Sequence, residues 1–299
     1  MLTNEPVSGV APSLEAVLGG SGLIDGVITY NVAERSFWNL TRLMLKLRAT
    51  RADTMIYLTA GRGLQTVRRD LRFFRYCGLR KFVGAPVNDD LHNNRTEQNG
   101  EHEPEAERLA RTLSELGQID LGKSTNWDLR LTAQEHNVAM KLLAPLEGTP
   151  FFCFSIGTKL ASNQWEKAKW LALFANLTSP MAGMALVGIG ADRDFAPTQR
   201  LLNHWSGPTL NLCGVSTPRQ SAAVLSRARL FVGHDSGPMH LSAAVGTPTV
   251  GLFGNNNPPR RWHPFGPYAR AVQDMRGMQF VEVPQVICAI LEVLEFSRG

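Results

Sequence analysis

Residues 228–254, ARLFVGHDSGPMHLSAAVGTPTVGLFG, decide the reading of this chain. Residues 230–232 are a short apolar strand. His234, Asp235, Ser236 and Gly237 then crowd polar groups into a turn. Pro238 stands where a first helical residue belongs, because its missing N–H would be unpaired there in any case. Residues 239–245 can make two helical turns, which Gly246 can end, and residues 247–253 give the next strand. The open N–H groups of a helix start, beside a glycine that permits close approach, form an anion site. His240, one turn into the helix, faces the same pole. The competing reading is an ordinary turn with an Asp–Ser helix cap.

The 299 residues, 43% hydrophobic and 19% charged, suit a soluble globular protein of two domains or one large one. No run approaches the ~20 apolar residues that span a bilayer. The opening MLTNEPVSGV lacks the basic and apolar regions of a signal peptide, so a cytoplasmic protein is expected. Cys77, Cys153, Cys213 and Cys288 stand far apart without a CxxC spacing and read as reduced core residues, with no zinc site. The net charge of +5 is unevenly placed. Arg62, Arg68, Arg69, Arg72, Arg75, Arg80 and Lys81 are opposed only by Asp70. Arg42, Lys46, Arg48 and Arg51 are interleaved with apolar residues upstream. Two solvated helix faces explain this. So does a basic, partly apolar surface that meets an anionic acceptor or the anionic leaflet of a membrane. No nucleic-acid motif accompanies the charge, so nucleic acid is not an expected partner.

Strand-like and helix-like segments alternate along the chain, which predicts a parallel α/β sheet. Residues 88–105 read as a polar loop, and Gly148-Thr149-Pro150 as a domain boundary. A second α/β series then opens with the apolar run 151–156, as expected of a strand covered on both faces. Its polar turns fall at strand ends, where open α/β sheets bind ligands. In residues 155–159, SIGTK, Thr158 and Lys159 could hold a phosphate by a hydroxyl and a point charge, or form a plain surface turn. In residues 188–194, GIGADRD, Asp192 or Asp194 could accept a ribose hydroxyl or cap a helix. Asp235 could orient His240, bind a sugar hydroxyl or cap its helix, and His234 reads as a loop residue. Residues 254–267, GNNNPPRRWHPFGP, read as a loop over a pocket mouth with Arg260, Arg261 and Trp262 as candidate contacts.

HDSGPMHLSAAVGTPTVGLFG and the following GNNNPPRRWHPFGP resemble the C-terminal signature of glycosyltransferase family 9, the heptosyltransferase group of lipopolysaccharide synthesis. SIGTK with Trp165 and Trp170 resembles the family's first donor-domain turn, and HEPEAERLARTLSELG its interdomain stretch. The resemblance implies a GT-B-like α/β fold, two Rossmann-like domains facing across a cleft. Residues 1–148 would be the acceptor-side domain and residues 149–299 the nucleotide-sugar domain. It implies inverting, metal-independent transfer of a heptose or related sugar from a donor such as ADP-heptose to lipopolysaccharide or another anionic surface glycan, without a cofactor. The expected site is cytoplasmic, with peripheral contact at the inner membrane. Thr158, Lys159, Asp235, Ser236, Gly237 and His240 would bind the donor, with Asp192 and Pro238 beside them. Family members open with an apolar strand and a Gly-Asp turn that supplies the base. Nothing like it stands in MLTNEPV, which resembles the tail of a second strand, so the N-terminal domain is read as incomplete, with a start at an internal methionine favoured over a shortened product or a degenerate member. The expected N-terminal sheet lacks its middle strand, and Asp25, Asp53 and His92 leave the catalytic base unassigned. A non-catalytic donor-binding remnant and another GT-B enzyme, such as a nucleotide-sugar epimerase, stay open as alternatives.

Overall fold

A computed structural model describes residues 1–4, 12–31, 34–59, 63–98 and 100–296. Its strands are β1 (Leu2–Asn4), β2 (Ile28–Tyr30), β3 (Thr54–Ile56), β4 (Lys81–Val83), β5 (Phe151–Ser155), β6 (Ala185–Gly188), β7 (Thr209–Asn211), β8 (Phe231–His234), β9 (Thr249–Phe253) and β10 (Ala269–Gln273). The α-helices are α1 (Leu14–Leu18), α2 (Phe37–Ala49), α3 (Leu64–Tyr76), α4 (Asp89–His92), α5 (Glu105–Thr112), α6 (Ala133–Leu143), α7 (Lys167–Leu177), α8 (Phe195–Leu202), α9 (Pro218–Leu225), α10 (Gly237–Ala244) and α11 (Val283–Phe296). Two compact units result: unit 1 holds Met1–Glu15, Ile24–Leu121 and Pro259–Arg261, and unit 2 the rest. The division does not fall at residues 148 and 149. Residues 122–148 cluster with unit 2 because α6 packs on α9 and Glu135 of α6 is held by Arg219 of α9.

In unit 1, β1 pairs in parallel with β2, and β3 with β4. Among the described residues no strand joins one pair to the other, and no five-stranded sheet forms. One apolar cluster serves both pairs: Leu43, Leu47, Val67, Leu71 and Phe74 are buried against Leu2, Ile28, Met55 and Phe82. The described parts of residues 88–105 hold more regular structure than their polarity suggests. They form α4 and an antiparallel bridge, Thr96 to His102, and Arg111 of α5 donates to Glu103 and to the Asp90 carbonyl. Arg62, part of the basic cluster, lies outside the described residues.

Unit 2 carries a six-stranded, all-parallel sheet in the order β10-β9-β8-β5-β6-β7. The chain starts at β5, moves outward through β6 and β7, then returns to β8 on the other side. The strand order therefore reverses between β5 and β8, where Ser155 is in register with Gly233. β5, β6, β8 and β9 are buried throughout, as covered parallel strands require. Alternate side chains serve opposite faces. Phe152, Phe154 and Val232 enter a cluster with Trp165 and Trp170, while Phe151, Cys153 and Phe231 enter one with Met239 of α10. α10 lies so close to the sheet that a Cβ at Gly251 would come within 2.5 Å of the Met239 sulfur. Cys77, Cys153 and Cys213 are buried, but Cys288 is exposed on α11 rather than in the core, because Val286, Ala289, Ile290 and Val293 form the buried face of that helix. Among the described residues, no helix is long and apolar enough to cross a membrane.

Candidate functional site

The site grows from the C-terminal ends of β5, β6 and β8, at the point where the sheet reverses direction and open α/β sheets leave a crevice. β8 ends in His234, and the chain then turns through Asp235 and Ser236 into α10, with Pro238 in its first turn. Ser236 has the extended backbone of a cap, but its hydroxyl donates back to the His234 carbonyl at 3.1 Å and no side chain caps the helix. The Asp–Ser cap considered from sequence therefore does not form. The Met239 and His240 amides both turn to the Ser236 carbonyl, at 3.2 and 3.4 Å. Pro238 has no amide hydrogen. This leaves the Gly237 N–H as the first-turn amide not turned to the Ser236 carbonyl, and a Cβ built at Gly237 would meet nothing within 4 Å beyond its chain neighbours and its own helix backbone. The helix start is thus polar, positive and sterically open.

Asp235 is positioned by its neighbours. Asn257 Nδ2 donates to its Oδ2 at 2.6 Å, and His240 Nε2 lies 3.7 Å from its Oδ1. The second distance is too long for a hydrogen bond and becomes an ion pair only when the ring is charged. His240 is 45% exposed and its ring meets Trp262 edge-on, with centroids 6.4 Å apart.

His234 is not the loop residue its sequence context suggests. It closes β8 with 0% exposure. The Trp165 backbone N–H donates to its Nε2 at 3.0 Å, so that nitrogen carries no proton. The proton sits on Nδ1 and is donated to the Ile156 carbonyl at 3.1 Å. One neutral imidazole therefore ties together the two ends of the segment that contains Thr158 and Lys159. Burial lowers its pKa to about 4 against a weaker opposing effect of the Ile156 carbonyl.

Within that segment the Thr158 hydroxyl exchanges long contacts of 3.4 Å with the backbone of Leu160, and Lys159 is exposed. Arg193 Nη2 donates to the Thr158 carbonyl at 3.4 Å. On the neighbouring β6 turn, Asp194 accepts from the Ala191 amide at 2.9 Å and sits 2.6 Å from where a Gly157 Cβ would be. Asp194 is a turn-former wedged under the β5 loop. Asp192 is exposed, with its backbone against Gly214.

Residues 254–258 touch both turns. Asn256 donates to Ser162 and Asn163 on the β5 segment, while Asn257 holds Asp235 on the β8 turn. Gln273 of β10 supports this loop by donating to the Gly254 and Asn257 carbonyls at 3.0 and 2.9 Å. Asn256, Asn257 and Gln273 were not singled out from sequence, where the asparagines read only as turn formers. Arg260 and Arg261, the candidate contacts at the pocket mouth, are instead engaged by carboxylates in unit 1. Arg260 pairs with Glu97 at 2.7 Å, and Arg261 with Glu105 at 3.5 Å. A separate concavity of about 570 Å³, lined by Leu143, Phe151 and Arg229 among others, opens at the N-terminal edge of the sheet and belongs to none of this. Among the described residues, no group of three or more His, Cys, Asp or Glu side chains is arranged to hold a metal ion.

Comparison with known proteins gives the family and the fold. Lipopolysaccharide heptosyltransferase 1 of Pseudomonas aeruginosa is 34% identical over 114 residues, 37% of this chain and 30% of the relative. The chain thus matches under a third of that curated relative's length. A family 9 glycosyltransferase structure from Veillonella parvula superposes with a TM-score of 0.66 and 17% identity, covering 91% of this chain and 83% of the other. The Escherichia coli heptosyltransferase WaaC with ADP gives a TM-score of 0.60 and 18% identity, covering 89% and 83%. These likenesses show a parallel α/β fold of the GT-B kind. The model of glycosyltransferase family 9 (heptosyltransferase) matches residues 85–284, more than half of the chain, and the protein belongs to that family.

Proposed function

We propose that this chain binds a nucleotide-sugar at the reversal point of the unit 2 sheet and transfers its sugar, a heptose or a close relative, to a lipopolysaccharide or other surface-glycan acceptor. The observation that carries the reading is the open start of α10 beside the β5 turn. The diphosphate lies against the Gly237 N–H, with Ser236 and Pro238 shaping the approach. Thr158 adds a hydroxyl, Lys159 an ammonium group and His240 a ring N–H donor. Asp235, fixed by Asn257, accepts a hydroxyl of the donor, and Asp192 stands at the rim of the same edge. The ADP in the WaaC structure supports a nucleotide diphosphate as the ligand class.

The chemistry follows from what such a site can stabilise. As the glycosidic bond to the diphosphate breaks, negative charge builds on the leaving oxygens. Fixed positive groups at a helix start lower the barrier where that charge develops. The Lys159 ammonium and the α10 start supply that positive charge without a metal, with the His240 ring N–H as a further donor, and direct attack by the acceptor hydroxyl inverts the anomeric centre. That attack also needs a general base.

The Lys159→Ala variant is expected to weaken ADP-heptose binding about tenfold, or ~1.4 kcal/mol. Calorimetric titration measures this, and unchanged affinity would remove Lys159 from the site. Release of ADP in the presence of a heptose-accepting lipopolysaccharide core tests transfer itself. Donor binding without acceptor-dependent turnover would make the chain a binding protein instead.

A further inference from the structure

Unit 1 displays a surface that the donor reading does not use. Phe37 and Trp38, in the first turn of α2, are 73% and 79% exposed. Their rings meet edge to face at 5.8 Å. The turn that presents them is built. Glu34 accepts from the Ser36 amide at 2.8 Å and from Asn39 Nδ2 at 2.8 Å, and the Ser36 hydroxyl accepts from the Asn39 amide. Leu43 and Leu47 bury the opposite face of the helix. The aromatic pair is therefore held outward by a capped, anchored helix. One exposed aromatic needs no explanation, but two in contact at a fixed helix start leave a large apolar area in water.

The surrounding charge is one-sided. Arg42, Lys46 and Arg48 are exposed along the same helix, with Leu45 58% exposed among them. Arg48 donates to the Tyr76 carbonyl at the end of α3, so the two helices meet there. α3 exposes Arg68, Arg69, Arg72 and Arg75, and its one acid, Asp70, is taken up by Arg69 and the Tyr57 hydroxyl. Residues 36–81 contain eleven Lys and Arg against two Asp, a surplus of nine, whereas the whole chain is only +5. The remainder is therefore net acidic, and the positive field is concentrated on this segment.

The geometry points to an anionic phospholipid bilayer as the partner of this surface, with Phe37 and Trp38 entering the headgroup–acyl boundary and the basic side chains meeting the lipid phosphates. An aromatic wedge beside exposed Arg and Lys is the arrangement that holds a helix in the plane of an interface. Each basic group near an anionic leaflet adds an increment of attraction, and a wedge with several of them gives reversible, salt-sensitive docking. Nucleic acid could answer the charge, but it does not call for a wedge at a helix start. The inference is independent of the donor site.

Co-flotation of the full chain with vesicles tests it. Phosphatidylcholine vesicles containing about a third phosphatidylglycerol should carry the protein, and pure phosphatidylcholine vesicles should not. The double variant Phe37→Ala/Trp38→Ala and the double variant Arg42→Glu/Lys46→Glu should each lower partitioning about tenfold or more. Melting temperature and ADP-heptose affinity should stay unchanged in both, because none of these side chains is buried or in the donor site. Absence of wild-type binding to the anionic vesicles would overturn the proposal. So would binding that neither variant weakens, or capture by a single-stranded RNA homopolymer without any by vesicles.

Discussion

Between pH 6.5 and pH 4, unit 2 is expected to lose about 3 kcal/mol of stability through one side chain, His234. In the unfolded chain this imidazole takes up a proton near its ordinary value of 6.5, but burial holds it neutral in the folded protein down to about 4. Across that window the unfolded state binds more protons, so stability falls as the pH falls. Above 6.5 both states are neutral and below 4 both are charged, so the contribution is level outside the window. Protonation also breaks the local structure. A proton on Nε2 would face the Trp165 N–H that this nitrogen now accepts. The carboxylates whose values the fold lowers, Glu34, Glu103, Glu105, Glu135 and Asp274, lose their contribution only below their ordinary values of 4.5 for glutamate and 3.8 for aspartate. Most of the His234 window therefore lies above theirs. Urea unfolding at a series of pH values would show the slope, and His234→Gln should flatten it. At pH 7 that variant should be less stable by ~1–3 kcal/mol, since glutamine can satisfy the Trp165 amide or the Ile156 carbonyl but not both. Equal slopes in variant and wild type would show that His234 does not bear the load.

Replacing Arg219 by methionine is expected to cost unit 2 about 3–5 kcal/mol. Arg219 is 5% exposed, and its guanidinium donates to both oxygens of Glu135 and to the carbonyls of Val17, Leu129 and Arg130. Glu135 in turn closes the capping box of α6 with Thr132. One planar side chain thus joins α9, the start of α6, the loop before it and the 16–23 segment. Methionine fills a similar volume but leaves the Glu135 carboxylate and three carbonyls without these donors. Arg219→Lys should lie between the two, since one ammonium keeps the charge but cannot serve the whole fork. Denaturant unfolding measures both variants. A loss below ~1 kcal/mol for methionine would mean that water replaces the network.

The parts of the fold that stood out in the sequence are those where burial is complete. FFCFS and TVGLF have no polar interruption and form β5 and β9, each buried at every residue. β10 does not stand out because ARAVQ is an edge strand, only partly buried and interrupted by Arg270. The strands of unit 1 are three residues each and partly exposed, so periodicity defines them only loosely. Thr217 caps α9 through a capping box with Gln220, while the neighbouring Ser216 pairs with Ser221, and sequence alone does not choose between the two hydroxyls. In the candidate site, the strand–turn–helix order of HDSGPMH was legible because Pro and Gly punctuate it. The function of His234 as a clasp was not, because it depends on Ile156 and Trp165, brought to it only by the pairing of β5 with β8. Asn256 and Asn257 escaped notice for the same reason, as their partners lie far away in sequence.

The account rests on the claim that the first turn of α10 receives a diphosphate. Amide resonances of isotopically labelled protein, followed during titration with ADP, test this at the atom concerned. The Gly237 N–H resonance should shift further than those of the sheet interior and saturate at the dissociation constant found by calorimetry. Saturable ADP binding that moves other amides and leaves Gly237 and Ser236 in place would contradict it.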